Sequence, residues 1–124
     1  MTGEGSDAVR LVADGISVAQ LLGIAASGFG DMVKAAVDIE REVMAIGGDL
    51  HADGEATLLD DGSRQADIWG INLYPEQYGN DDWLEFDSLI NIRPSQGNRS
   101  REIEDEGVRR RVTRVVARIV RQDG

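Results

Sequence analysis

The stretch from Met32 to Ile46, MVKAAVDIEREVMAI, decides the fold of this chain of 124 residues. Its apolar residues alternate at Val33, Ala35 and Val37 as in a strand, although a helical spacing also fits them. The β-branched residues favour a pleated surface, and the polar triplet at 40–42 has the length of a hairpin turn. We therefore predict two antiparallel strands, with a helix as the alternative.

A helix is predicted upstream of this hairpin. Ser17 and Gln20 have the spacing of a capping box, and Gly28 is suited to end the helix. The segment 1–15 contains three glycines and one small apolar patch. We predict that this segment is flexible, with a short extended piece, and that residues 16–124 form a single domain.

The downstream sequence predicts a short helix, two strands and a final helix. Asp53 is a good N-cap for a helix to about Asp61, and Ile68 to Tyr74 reads as a strand. Trp83 to Ile92 alternates over ten residues and predicts the clearest strand. Valines at helical spacing follow Glu104. The order helix, strand, strand, short helix, strand, strand, helix predicts an α+β domain, with helices on one face of a mainly antiparallel sheet of about four strands.

Charge is unevenly distributed along the chain. The formal net charge is -10, and residues 1–92 hold 4 Lys and Arg against 18 Asp and Glu, whereas residues 93–124 hold 9 against 5. The acidic majority argues against nucleic acid as a partner. We expect the late arginines to pack against the chain's own acidic surface, a second copy in a homo-oligomer, or another protein.

Cysteine content and hydropathy limit the kinds of site the protein can have and the compartment in which we expect it. The chain has no cysteine, which excludes disulfides, thiolate metal sites and Cys nucleophiles. Its N-terminus is polar, and no apolar run reaches the ~18–20 residues that span a bilayer. We therefore expect a cytoplasmic protein that has no membrane partner.

His51, the single histidine, is the first candidate for chemistry. In an extended segment His51 and Asp53 share a face, so the carboxylate would orient the imidazole as a general base. A structural histidine that holds the bend after the glycines at 47–48 is the alternative. Zinc would lack ligands and no calcium-loop pattern is present, so we expect no metal and no cofactor.

The second candidate is the loop from Arg93 to Ser100. It concentrates guanidinium, amide and hydroxyl groups just before the last predicted helix, which favours an anion site. Asn72 and Asn91 would extend this patch if the strand register brings them near. The alternative is that these groups satisfy turns, caps and carboxylates within the chain. The candidate ligand-binding residues are Arg93, Ser95, Gln96, Asn98, Arg99, Asn91 and Asn72.

Four stretches are jointly distinctive: FGDMVKA at 29–35, GGDLHAD at 47–53, WGINLYP at 69–75 and SLINIRPSQGNRS at 88–100. Together they resemble a small bacterial family known only as a domain of unknown function, over about residues 16–121. The resemblance implies one autonomous domain. It supplies no activity, cofactor or catalytic residue.

Three functions follow from these observations. The first is a non-catalytic domain that binds a protein or a small anionic ligand, because no assembled nucleophile, base and metal set is visible. The second is a small enzyme on a phosphorylated or nucleotide substrate, with His51 and Asp53 as the acid–base pair and Arg93 and Arg99 on the anion. The third is an antitoxin-like protein, which size and acidity alone suggest.

Overall fold

The computed structural model describes residues 9–122. Three helices and seven strands make up this part of the chain, together with short 3-10 turns. In chain order they are β1 (Val9–Val12), β2 (Ile16–Ser17), α1 (Val18–Ser27), β3 (Val33–Asp38), β4 (Val43–Gly47), α2 (His51–Asp60), β5 (Ile68–Leu73), β6 (Leu84–Glu85), α3 (Glu106–Ile119) and β7 (Val120–Arg121). The α+β class is confirmed.

The predicted hairpin is confirmed as β3 and β4. Asp38 ends β3, and its Oδ1 accepts hydrogen bonds from the backbone N–H groups of Glu40 and Arg41, both at 2.9 Å. Glu42 then has a positive φ of 58°, which turns the chain back into β4. These turn contacts favour the two strands over the alternative helix.

The main sheet has five strands in the order β1-β4-β3-β5-β6, and every neighbouring pair is antiparallel. β2 and β7 form a separate parallel pair. The short extended piece expected near the N-terminus is β1, so the sheet begins before residue 16, where the sequence placed the start of the domain. Residues 1–8 of the segment predicted to be flexible lie outside the described residues.

Helices cover both faces of the sheet, whereas we expected them on one face. Alternate residues of β3, β4 and β5 pack with α1 and α3 in the larger core cluster. The opposite face packs against α2 through Leu58, with Ala36, Ala45 and Ile68. Gly54 permits this approach, because a Cβ there would lie 3.3 Å from the Ala36 Cβ. The strands therefore alternate between two apolar faces.

The predicted strand from Trp83 to Ile92 is wrong. Only Leu84–Glu85 pairs in the sheet, and a 3-10 turn covers Leu89–Asn91. Ser88 Oγ accepts a hydrogen bond from the backbone N–H of Ile90, which closes this turn. The Asn91 side chain then takes the place of a neighbouring strand, because its amide pairs with the N–H and C=O of Gly70 at 2.8 and 3.0 Å. The alternating pattern therefore came from a turn that packs against β5.

The short helix α2 is confirmed, but it begins earlier than expected. Its N-cap is Leu50, and Asp53 is the third residue of the helix. No helix among residues 9–122 combines the length and apolar character required to cross a bilayer.

Candidate functional site

Three polar residues lie side by side across the sheet. In the strand register Lys34 of β3 faces Asn72 of β5, and Asn72 faces Glu85 of β6. Directly opposed residues point to the same face of a sheet, which here is the α2 face. We call Lys34, Asn72 and Glu85 the polar row.

Hydrogen bonds fix one end of the polar row. Asn72 Nδ2 donates to Glu85 Oε1 at 2.8 Å and to the backbone carbonyl of Asp87 at 3.1 Å. The Tyr74 hydroxyl also donates to Glu85 Oε1, at 3.0 Å. Burial and then this hydrogen bond raise the pKa of Tyr74 to about 12, so its hydroxyl keeps its proton at neutral pH.

His51 lies at the start of α2, close to the polar row. Its Nε2 is 2.9 Å from the backbone carbonyl of Ile71, which can only accept, so Nε2 carries the proton. Burial lowers the pKa of His51, while the hydrogen bond to Ile71 and a contact with the Asn72 side chain raise it less. The ring is therefore neutral at pH 7, and its Nδ1 holds a lone pair.

These groups surround a cleft of about 450 Å³ between α2 and the 84–90 segment. Leu50 and Leu89 line it and are 58% and 67% exposed, so apolar side chains stand at its rim. Arg101 pairs with Asp87 at 2.8 Å on one wall. We call this the His51 cleft; its lining residues include His51, Lys34, Asn72, Tyr74, Glu85 and Asp87.

The predicted pairing of His51 with Asp53 is wrong in its premise. Both residues lie on a helix, where positions i and i+2 do not face each other. Asp53 Oδ2 instead accepts a hydrogen bond from the backbone N–H of Leu50 at 3.3 Å. Asp53 therefore caps α2, and the Ile71 carbonyl orients the imidazole.

The guanidinium of Arg93 in the predicted anion loop is engaged within the chain. Arg93 is 8% exposed, and its Nε donates to the Ile90 carbonyl at 3.0 Å. One terminal nitrogen donates to the Ile68 carbonyl, and the guanidinium lies 4.5 Å from the centre of the Trp69 ring. Burial lowers the pKa of Arg93. Arg93 thus connects the loop to the start of β5.

Asn98 and Glu104 organise the rest of this loop. Asn98 Nδ2 donates to the carbonyls of Asn91, Ser100 and Glu102, and its Oδ1 accepts from the Glu104 N–H. Glu104 Oε2 accepts from the backbone N–H groups of Arg99 and Ser100. Hydrogen bonds from the Ser100 side chain and from the Arg99 backbone lower the pKa of Glu104. The Glu104 carboxylate thus already accepts the backbone N–H groups that an anion would need in this loop.

The structure separates the predicted site residues into two places. His51 and Asn72 line the His51 cleft, whereas Gln96 and Asn98 border a second cleft of about 510 Å³, whose lining carries three acidic residues, Asp67, Glu104 and Asp105. Asn91 is buried against Gly70, and Ser95 and Arg99 are exposed on the loop.

Sequence reasoning missed five charged or phenolic residues of the His51 cleft: Lys34, Tyr74, Glu85, Asp87 and Arg101. Lys34 is the single lysine of the chain and stands among the apolar residues 32–37, which was the one available signal. Its relation to Glu85 depends on the register of three strands, which the sequence does not state.

No group of three or more His, Asp or Glu residues in the described part of the chain has the arrangement to hold a metal ion. None of the curated proteins and none of the solved structures matches the chain. One family model does match, over residues 10–119, and its description is "Protein of unknown function (DUF5674)". This match covers most of the 124 residues, so the chain belongs to the DUF5674 family.

Proposed function

We propose that this protein is a non-catalytic, cytoplasmic binding domain whose ligand is a small molecule held in the His51 cleft. The observation that carries the proposal is a concave site of about 450 Å³ with apolar walls and a polar floor. Binding sites for small molecules combine these features, because apolar walls supply affinity and a few fixed polar groups supply orientation.

The hydrogen bonds of the site support pre-organisation. Glu85 Oε1 receives two donors, and the His51 ring is held by the Ile71 carbonyl. Side chains fixed before a ligand arrives lose little entropy on binding. The Arg93 to Ser100 loop offers less, because Arg93 and Asn98 already satisfy carbonyls of the chain.

A thermal-shift experiment with one pair of variants tests the proposal. The compounds are small neutral, anionic, cationic and zwitterionic molecules, with benzyl alcohol as the apolar probe. Ala52 lines the cleft and is exposed on α2, so Ala52→Trp fills the site without disturbing the core. Ala56 is exposed on the same helix outside the lining, so Ala56→Trp is the matched control.

At least one compound class should raise the melting temperature of the wild-type protein, because a ligand that binds the folded state stabilises it by mass action. The shift should disappear in Ala52→Trp and persist in Ala56→Trp. Absence of a shift with every class, or a shift that survives Ala52→Trp, would contradict the proposal.

A second candidate is an enzyme that uses His51 as a general base. The fixed tautomer favours it, since Nε2 donates to Ile71 and Nδ1 retains its lone pair. Asp53, Arg93 and Arg99 do not line this cleft, so the constellation expected from the sequence would be replaced by His51, Tyr74 and Glu85. Incubation of the protein with each stabilising compound, followed by mass spectrometry, should then reveal a product that His51→Gln does not form.

A homo-oligomer and other protein partners are predicted from the uneven distribution of charge along the chain. Arg111 and Arg118 of α3 pair with Glu40 and Glu42 of the chain itself at 2.7 and 3.1 Å, which reduces the charge left for a second copy. Light scattering over a range of salt concentrations tests self-association. A pull-down from native cell extract tests the antitoxin-like role, which rests on size and acidity.

A further inference from the structure

The polar row holds two opposite charges apart. Lys34 on β3 and Glu85 on β6 are two strands from each other, with Asn72 of β5 between them. Since neighbouring strands lie ~4.8 Å apart, the Cα atoms of Lys34 and Glu85 are ~10 Å apart. The hydrogen bonds between the strands fix this distance, so the two strands cannot move closer together to bring Lys34 and Glu85 into contact.

Neither end of the row is neutralised by an ion pair. Six ion pairs join arginines to carboxylates within residues 9–122, and none of them includes Lys34 or Glu85. Lys34 Nζ instead lies 5.1 Å from the centre of the Phe29 ring. The two donors that reach Glu85 both bind Oε1, which leaves Oε2 for a further donor.

The middle of the row has an unsatisfied acceptor. Asn72 is 6% exposed, and its buried Oδ1 has no hydrogen-bond partner in the described part of the chain. Neutral His51 does not supply one, because its single N–H is donated to Ile71. A buried polar atom without a partner costs stability, so a ligand that shifted the Asn72 side chain slightly and donated to Oδ1 would be stabilising here.

We propose that the ligand of the His51 cleft is a small zwitterion, whose anionic group binds Lys34 and whose ammonium group binds Glu85 and Asn72. The inference rests on the proposed function, because it requires a ligand in this cleft. The N-terminus of α2, which begins at His51, adds partial positive charge beside the cleft. The ~10 Å between the two Cα atoms leaves room for one small zwitterion between the side chains of Lys34 and Glu85, and we take 4-aminobutyrate as its probe.

The test compares three probes of nearly equal size: 4-aminobutyrate, butyrate and n-butylamine. Their dissociation constants are measured at neutral pH and low salt from the shifts of backbone amide signals. 4-Aminobutyrate should bind at least about tenfold more tightly than either singly charged probe, because each charged end contributes a charge-assisted hydrogen bond.

Two variants test which side chain binds which charged end of the ligand. Lys34→Met keeps the apolar stem and should abolish the preference for 4-aminobutyrate over n-butylamine. Glu85→Gln keeps an acceptor for Asn72 and Tyr74 and should abolish the preference over butyrate. Glu76, an exposed carboxylate outside the cleft, gives the control Glu76→Gln, which should bind as the wild type does. Thermal melts confirm that each variant is folded.

The outcomes separate this inference from the proposed function. Equal affinity for the three probes, or no binding of any of them, overturns the proposal that the ligand is a zwitterion. If benzyl alcohol still binds in that case and Ala52→Trp blocks it, the cleft remains a binding site for a different ligand class. If benzyl alcohol and every other compound fail to bind, the proposed function fails as well.

Discussion

Asn91 holds the 88–91 turn against β5. It is fully buried, and its side chain satisfies the N–H and C=O of Gly70 and the carbonyl of Arg101. Asn91→Ala leaves these buried groups without partners, so we expect a loss of ~2–4 kcal/mol in the free energy of unfolding. Urea unfolding measures it. Asn80→Ala, at an exposed amide, should change stability by less than ~0.5 kcal/mol.

Two glycines give opposite expectations for the same substitution. At Gly70 a Cβ would lie 2.5 Å from the Ser88 Cβ, so Gly70→Ala should push the turn away and cost ~1–3 kcal/mol. Gly23 lies inside α1 with nothing within 4 Å of a Cβ, so Gly23→Ala should stabilise by ~0.5–1 kcal/mol. Thermal and urea unfolding of both variants check the signs. A stable Gly70→Ala would contradict the close contact between β5 and the turn.

His51 makes stability depend on pH. Burial lowers its folded-state pKa below the ordinary value of 6.5, so the unfolded chain takes up the proton first as the pH falls. The contribution of neutral His51 is therefore complete above about pH 6.5 and is lost as the pH falls through the folded-state pKa. Stability should fall more steeply between about pH 7 and 5 in the wild type than in His51→Gln, which keeps a donor for Ile71. A folded-state pKa of 6.5 or higher, from the ring NMR signals, would contradict this.

At the scale of elements, local signals explain which parts of the fold the sequence predicts. The hairpin of β3 and β4 and the capped start of α1 depend on contacts within a few residues. The 83–92 segment does not, because Asn91 finds its partner at Gly70, 21 positions away. The 83–92 segment packs against β5 through the Asn91 side chain and has the same alternation of apolar residues as a strand. Periodicity alone therefore could not distinguish this turn from a strand.

The capping box of α1 gives a prediction at this scale. Ser17 Oγ accepts from the Gln20 N–H at 3.0 Å, and the Gln20 side chain accepts from the Ser17 N–H at 2.9 Å. Ser17→Ala should cost ~1–2 kcal/mol, because Ser17 is buried and water cannot replace the cap. Ser27 is exposed in the last turn of the same helix, so Ser27→Ala is the control and should lie within ~0.5 kcal/mol of the wild type. Equal stability of the two variants in urea would show that the cap is dispensable.

At the scale of the whole molecule, the His51 cleft forms where distant parts of the chain meet. The polar row takes one residue from each of three strands, and α2 places His51 beside it. His51 and Asn72 were identified from the sequence because of their residue types. Lys34 and Glu85 were not, because their relation is set by strand pairing across 51 positions, and pairing over such distances has no local signal.

Two side chains of the cleft are unique in the chain, and this makes the central claim directly measurable. His51 is the single histidine and Lys34 the single lysine, so ¹³C labelling of these two residue types gives one reporter on each side of the site. We expect 4-aminobutyrate to shift the His51 ring and Lys34 side-chain signals together, with one common dissociation constant, in the wild type and in Ala56→Trp but not in Ala52→Trp. Movement of the Lys34 signals alone, or of neither residue in the folded protein, would contradict a zwitterion site in the His51 cleft.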